Sequence, residues 1–263
     1  MTHAPLADTL SLWIDDVPRE GWHNMAIDQA LLDRAQVGER WLRLYRWDPW
    51  CLSFGRHEPA ARRYDAPQIS ALGLSVVRRP TGGRAVWHAR ELTYAVAAPA
   101  EGLGSLHEAY LEIHGMLRDA LLALGAPASL APPRCAPPVD AGACFASPAG
   151  GEVMVAGRKV VGSAQLRQGA ALLQHGSILL DDDQAVVAGV TLGSAPPDLS
   201  APLSRLLGRT LAWQDTADAV VEAAGERWGI ARGRSPAPIL RQAGAHADRF
   251  RSAAWTWAGT VDG

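Results

Sequence analysis

Reactive side chains are scarce in this sequence. Of 25 Lys plus Arg residues only Lys159 is a lysine, and the 3 cysteines are Cys51, Cys135 and Cys144. A thiolate is a strong nucleophile, but a free thiol, with a pKa of about 8.5, needs a neighbouring cation to ionise at neutral pH. Cys144 lies in a long stretch rich in Pro, Ala and Gly, and Lys159 lies on the strand expected after it. A lysine across a hairpin can supply that cation. Cys135, between Pro132-Pro133 and Pro137-Pro138, is an equally suitable thiol on composition. Cys51 sits in an apolar strand, where packing is the expected role. No two cysteines form Cys-x-x-Cys, which argues against structural zinc.

A second concentration of chemistry runs from Val76 to His88, VVRRPTGGRAVWH. Adjacent glycines at 82 and 83 let backbone approach a ligand and present N–H groups to it, with Arg78, Arg79 and Arg84 around them. A tight hairpin turn with solvated arginines accounts for the same pattern. His88 and His175 lie near Gly-rich strand ends, placed to orient a thiol, to bind substrate, or to serve as hydrogen-bonded structural histidines. Asp28, on the first helix, is expected to be exposed or to cap a local network. Asp181, Asp182 and Asp183 read as a solvated turn and helix start that could hold a cation weakly.

Bulk properties narrow the field. With a net charge of -2 and a pI near 6.4, the chain offers no global basic surface for nucleic acid. Its first residues lack a basic, apolar leader, and no apolar run is long enough to span a bilayer, so no membrane association is expected. An odd cysteine count without export signals reads as reduced thiols in the cytoplasm.

The elements that must position these residues follow from periodicity. Strands are expected at 10–14, 42–47, 51–54 and 74–79, and helices over 23–36 and briefly before Gly73. The clearest helix runs from Ser105 to Leu124, opened by a Ser105/Glu108 capping box and stopped at Gly125. Residues 126 to 151 read as a long loop, of the kind that is usually functional. A hairpin of 152–156 and 159–164 follows, then a strand from 170 to 180 interrupted at Gly176. Helices are expected over 215–228 and 236–254. The sum is a single α+β domain over 1–263, with a mixed, largely antiparallel sheet flanked by helices.

Taken in order, several blocks resemble one known family: NMAID at 24–28, LRLYRW at 42–47, SFG at 53–55, RRPTGGRAVWH at 78–88 and ELTY at 91–94. Cys144-Phe145, GRKVVGSAQ at 157–165, QHGSI at 174–178 and the tail from Phe250 to Trp257 complete the series. The series is similar to the biotin/lipoate ligase superfamily, and within it to octanoyltransferases that move octanoyl from acyl carrier protein to a lipoyl-accepting protein. Cys144-Phe145 points to that cysteine-dependent branch.

The resemblance implies a lipoate-ligase-like catalytic fold, with Cys144 as nucleophile and Lys159 as its partner. It implies substrate contacts from Arg79, Thr81, Gly82, Gly83, Arg84, Ala85, His88, Gly162, Ser163, Ala164, His175 and Gly176. The implied partners are octanoyl-acyl carrier protein and an acceptor, the glycine cleavage H protein or lipoyl domains, with no cofactor and no metal. Rival readings are an ATP-dependent lipoate ligase, an amidotransferase between lipoyl-accepting proteins, and a non-catalytic module that binds lipoyl domains. No phosphate loop of the Gly-x-x-x-x-Gly-Lys type is present to favour the first.

Overall fold

The computed structural model describes residues 9–101, 103–132, 150–194 and 199–260. The chain runs through β1 (Leu10–Ile14), α1 (Gly21–Ala35), β2 (Trp41–Tyr45) and β3 (Cys51–Phe54), then two short helices, α2 (Ala60–Arg63) and α3 (Ala66–Ala71). Strands β4 (Ser75–Arg78), β5 (Val86–His88) and β6 (Glu91–Pro99) lead to the long helix α4 (Leu106–Ala123). Five strands follow: β7 (Ala128–Leu130), β8 (Val153–Val155), β9 (Arg158–Lys159), β10 (Val161–Gln168) and β11 (Ala171–Leu179). Next come helices α5 (Ala185–Gly189), α6 (Leu203–Leu207) and α7 (Trp213–Trp228), and strand β12 (Ile230–Ala231). The described chain closes with α8 (Ala237–Gly244), α9 (Ala247–Arg251) and α10 (Ala253–Ala258).

The main sheet has the order β10-β11-β6-β2-β1-β12, antiparallel from β10 to β2 and parallel beyond. It is the mixed sheet of an α+β fold that the alternating segments lead one to expect. Period-two alternation decides its two faces. In β2, Leu42 and Leu44 join the core shared with α4 and α7, whereas Trp41 and Tyr45 join the core around α1. Helix α4 packs an apolar stripe that includes Ile113, Leu117 and Leu121. Its start is the expected capping box, in which Ser105 Oγ accepts from the Glu108 N–H and the Glu108 side chain accepts from the Ser105 N–H.

Several segments fold otherwise than their local pattern suggests. Strand β11 is continuous through Gly176. There a Cβ would lie 2.4 Å from the Gly162 carbonyl oxygen, 2.7 Å from Ser163 Oγ and 2.9 Å from the Tyr94 ring, so the glycine serves close packing, not a break. The expected strand 159–164 divides at Val160: β9 pairs with β8 in a small sheet, and β10 joins the main one. The expected loop 126–151 begins with β7, which pairs antiparallel with β8. The expected helix 236–254 is three short helices, with Ser252 in extended backbone between the last two and its hydroxyl capping the Trp255 N–H.

Around Gly82-Gly83 there is no hairpin. β4 pairs parallel to β3 and β5 antiparallel to it, on opposite sides, so residues 79–85 cross over the end of β3. No helix among the described residues is long and apolar enough to cross a membrane.

Candidate active site

A cleft with about 340 Å³ of empty space, open to solvent on one side, is lined from five strands and one helix. Met25 comes from α1, Tyr45 from β2, Val86 and His88 from β5, and Thr93 from β6. Gly162, Ser163 and Ala164 come from β10, and His175, Gly176 and Ser177 from β11. Trp47 and Arg79 complete the wall. Of the twelve expected substrate contacts, Arg79, His88, Gly162, Ser163, Ala164, His175 and Gly176 thus converge on one cavity.

Residues 81–85 are not among the described lining residues; they build the crossover behind the wall. Arg79 holds that crossover from within. Its guanidinium donates to the carbonyls of Ser53 (3.0 Å), Gly82 (3.1 Å) and Arg84 (2.7 Å) and to Ser53 Oγ (2.6 Å). Arg78 is equally buried and donates to six carbonyls, those of Gly55, Arg56, Glu58, Trp255, Thr256 and Trp257. These two arginines are therefore not solvated turn residues. Six carbonyl oxygens around one guanidinium tie α10 to residues 55–58 just after β3, and a lysine ammonium has too few donors to replace it.

His175 and His88 are each held between a carboxylate and a hydroxyl group. His175 Nδ1 is 2.7 Å from Asp28 Oδ2 and its Nε2 is 2.6 Å from Thr81 Oγ1. Burial lowers the pKa of His175 against the raising effect of Asp28, which favours the neutral ring. Nδ1–H then donates to Asp28, and Thr81 donates to Nε2. Asp28 also accepts from Arg43 (3.0 Å) and from the Tyr45 hydroxyl (2.8 Å), so it is wholly buried and the expectation that it be exposed is overturned. The alternative expectation, a local network, describes it.

His88 Nδ1 lies 2.7 Å from Glu91 Oε1 and its Nε2 2.6 Å from Ser53 Oγ, with the ring stacked 4.1 Å from that of Trp47. Glu91 Oε1 further accepts from Thr93 and Ser177, and Thr93 accepts from Trp47 Nε1. Apart from Glu91 Oε2, which is buried without a hydrogen-bond partner among the described residues, these polar groups are thus committed to one another. What remains to face a ligand is largely ring and aliphatic surface from Met25, Tyr45, Trp47 and Val86, suited to an uncharged chain.

Lys159 is buried beside this cleft, not in its lining, and forms an ion pair with the buried Glu152. From it the chain passes through Val160 and Val161 into Gly162 and Ser163 of the wall. Cys144 and Cys135 lie outside the described residues. Cys51 is core, as expected, with burial pushing its thiol up to about 12. Asp181, Asp182 and Asp183 form the expected turn before α5, engaged by Arg90 and Arg205.

Trp47, Ser53 and Glu91 belong to the quoted blocks but were given no site role, and Glu152 and His114 were not singled out. Glu152 carried one usable signal, a carboxylate four residues before a tight turn at Ala156-Gly157 that returns the chain to the single lysine.

The matching family model is described as lipoyl protein ligase A/B catalytic domain and covers residues 20–225. Octanoyltransferase LipM of Kyrpidia tusciae is 48% identical over 177 residues, which is 63% of this chain and 64% of that relative. This chain thus spans just under two thirds of that relative's length in the match. Octanoyltransferase LipM of Symbiobacterium thermophilum is 38% identical over 226 residues, 78% of this chain and 82% of the relative. Among solved structures, lipoate-protein ligase A bound with ATP superposes with TM-score 0.79 at 17% identity, over 96% of this chain and 100% of that one. A bipartite lipoate protein ligase from Thermoplasma acidophilum, studied with its E2 lipoyl domain, gives 0.77 at 17% identity, over 97% and 99%. With the model matching more than half its length, the chain belongs to the lipoyl protein ligase A/B catalytic-domain family.

Proposed function

We propose that this chain, acting as one catalytic domain over residues 1–263, is a cytoplasmic octanoyltransferase of lipoate biosynthesis. The observation that carries the reading is its 38% identity to an octanoyltransferase over 226 residues. The cleft agrees with it, having walls suited to a medium-length acyl chain.

The reaction has two acyl transfers. The Cys144 thiolate attacks the carbonyl carbon of octanoyl-acyl carrier protein. The carrier's carbon–sulfur bond breaks and its thiolate leaves, giving octanoyl-Cys144. The neutral amine of an acceptor lysine then attacks this thioester, Cys144 departs as thiolate and the amine loses a proton. The acceptor is a lipoyl domain, the partner of the T. acidophilum ligase, or the glycine cleavage H protein.

Lys159 favours the thiolate and stabilises the oxyanion of each tetrahedral intermediate. Its pairing with Glu152 keeps a buried cation compensated until that charge develops. Arg79, Thr81, Gly82, Gly83, Arg84, Ala85, His88, Gly162, Ser163, Ala164, His175 and Gly176 form and back the acyl pocket. No step needs a nucleotide or metal.

Donor choice tests the reading. Incubation with octanoyl-acyl carrier protein and a lipoyl domain should octanoylate the domain without ATP. Transfer only from an already octanoylated H protein would make the enzyme an amidotransferase, and a requirement for octanoate with ATP would make it a ligase.

A further inference from the structure

One buried histidine, His114 on α4, belongs to neither network described above, yet it joins the cleft wall to the residue preceding Glu152. His114 Nδ1 lies 2.8 Å from the Gly151 carbonyl oxygen, and Nε2 lies 2.8 Å from Ser163 Oγ. Ser163 Oγ is 2.7 Å from the Tyr94 hydroxyl, which accepts from Gln174 Nε2 at 2.9 Å. Gln174 Oε1 in turn accepts from Gln165 Nε2 at 2.9 Å.

The direction of every bond follows from its last member. A carbonyl oxygen only accepts, so His114 Nδ1 carries the hydrogen. Burial, with the charge of Lys159 adding to it, holds the His114 pKa down to about 3, so the ring is neutral and Nε2 accepts. Ser163 therefore donates to His114, and Tyr94, whose hydroxyl is pushed up to about 12 by burial, donates to Ser163.

Two glycines make room for this chain of bonds. A side chain at Gly176 would strike Ser163 Oγ and the Tyr94 ring, as noted above. At Gly151 φ is +86°, and a Cβ would lie 2.4 Å from Leu111 Cδ2, which presses the carbonyl-bearing residue against α4.

We propose that His114 is a positioning residue: it ends a one-way hydrogen-bond chain running from the acyl-pocket wall to Gly151, and thereby holds Glu152 against Lys159. Its functional weight rests on the role given to Lys159 above. Among the described residues, Lys159 meets Glu152, just before β8, and acts electrostatically on His114 from α4. A neutral acceptor at position 114 also avoids a second cation beside the ammonium.

Because Lys159 is the only lysine, the whole chain labelled with ¹⁵N-lysine yields one side-chain Nζ signal, a readout that needs no substrate. His114→Phe keeps a ring of similar size against Tyr110 but removes both nitrogens, and Ser163→Ala cuts the chain one link earlier. Both should displace the Nζ signal in the same direction. The double variant should move it little further, since the two residues act through one path. His114→Gln, which retains a donor and an acceptor, should bring it back toward the parent position. In octanoyl transfer, His114→Phe should lower kcat about tenfold or more while KM changes less than threefold.

A Leu121→Ala variant, equally destabilised by melting temperature, controls for loosened packing. The inference is overturned if the signal stays put in His114→Phe, or if Leu121→Ala displaces it equally. Where His114→Phe does not fold, Ser163→Ala alone decides on the same terms. Absence of octanoyl transfer by the parent chain would remove the proposed function but leave the signal to judge the chain of bonds.

Discussion

At the scale of single residues, the proposed chemistry turns on buried Lys159 and its partner carboxylate, Glu152. Lysine at 159 is compact, whereas arginine is planar, larger and effectively always charged. Buried beside Glu152, an arginine would displace the carboxylate it must face. Lys159→Arg should fold yet lose on the order of 10²-fold in kcat/KM, comparable to removing one oxyanion donor. Steady-state kinetics with octanoyl-carrier protein measure this, and unchanged activity would take lysine out of the mechanism. Lys159 stood out in the sequence because it is alone among arginines, and the pocket glycines and histidines because their blocks resemble a known family. Its partner was not legible. Glu152 acquires its role only when β8 and β9 pair, and His114 only when α4 is laid against β10, both consequences of long-range packing that no local pattern encodes.

At the scale of elements, two joints hold the site. Arg78 ties α10 to the segment after β3 through six carbonyl bonds, three to each. Arg78→Met leaves those oxygens buried and unsatisfied, at a cost of about 3 kcal/mol or more. Limited proteolysis should then cut within residues 245–260 before elsewhere; a digestion pattern like that of the parent would contradict this. Gly176→Ala should destabilise by about 1–3 kcal/mol, because its nearest neighbour is backbone, the Gly162 carbonyl, which cannot swing aside. Urea melts report the value. The segments misjudged from periodicity share one cause. Gly176 looks like a strand breaker and residues 236–254 like one helix when only neighbours in sequence are considered. In fact the first is a packing glycine, and the second is broken by the extended backbone and capping hydroxyl of Ser252.

For the whole molecule, the neutral buried histidines set a pH response. With His114 held near 3 in the folded protein against about 6.5 in the unfolded chain, the unfolded state binds more protons between these values. Stability should be fully present above about pH 6.5 and fall as the pH drops toward 3. The His114 contribution alone should be about 1 kcal/mol lower at pH 5.5 than at pH 7, a loss that His114→Gln should remove in denaturant titrations. The most direct test of the account is the intact mass of the purified chain mixed with octanoyl-acyl carrier protein in the absence of ATP. One octanoyl group should be added on Cys144, released by hydroxylamine, absent in Cys144→Ala and retained in Cys135→Ala. An octanoyl group found on Cys135, or no adduct until octanoate and ATP are supplied, would contradict it.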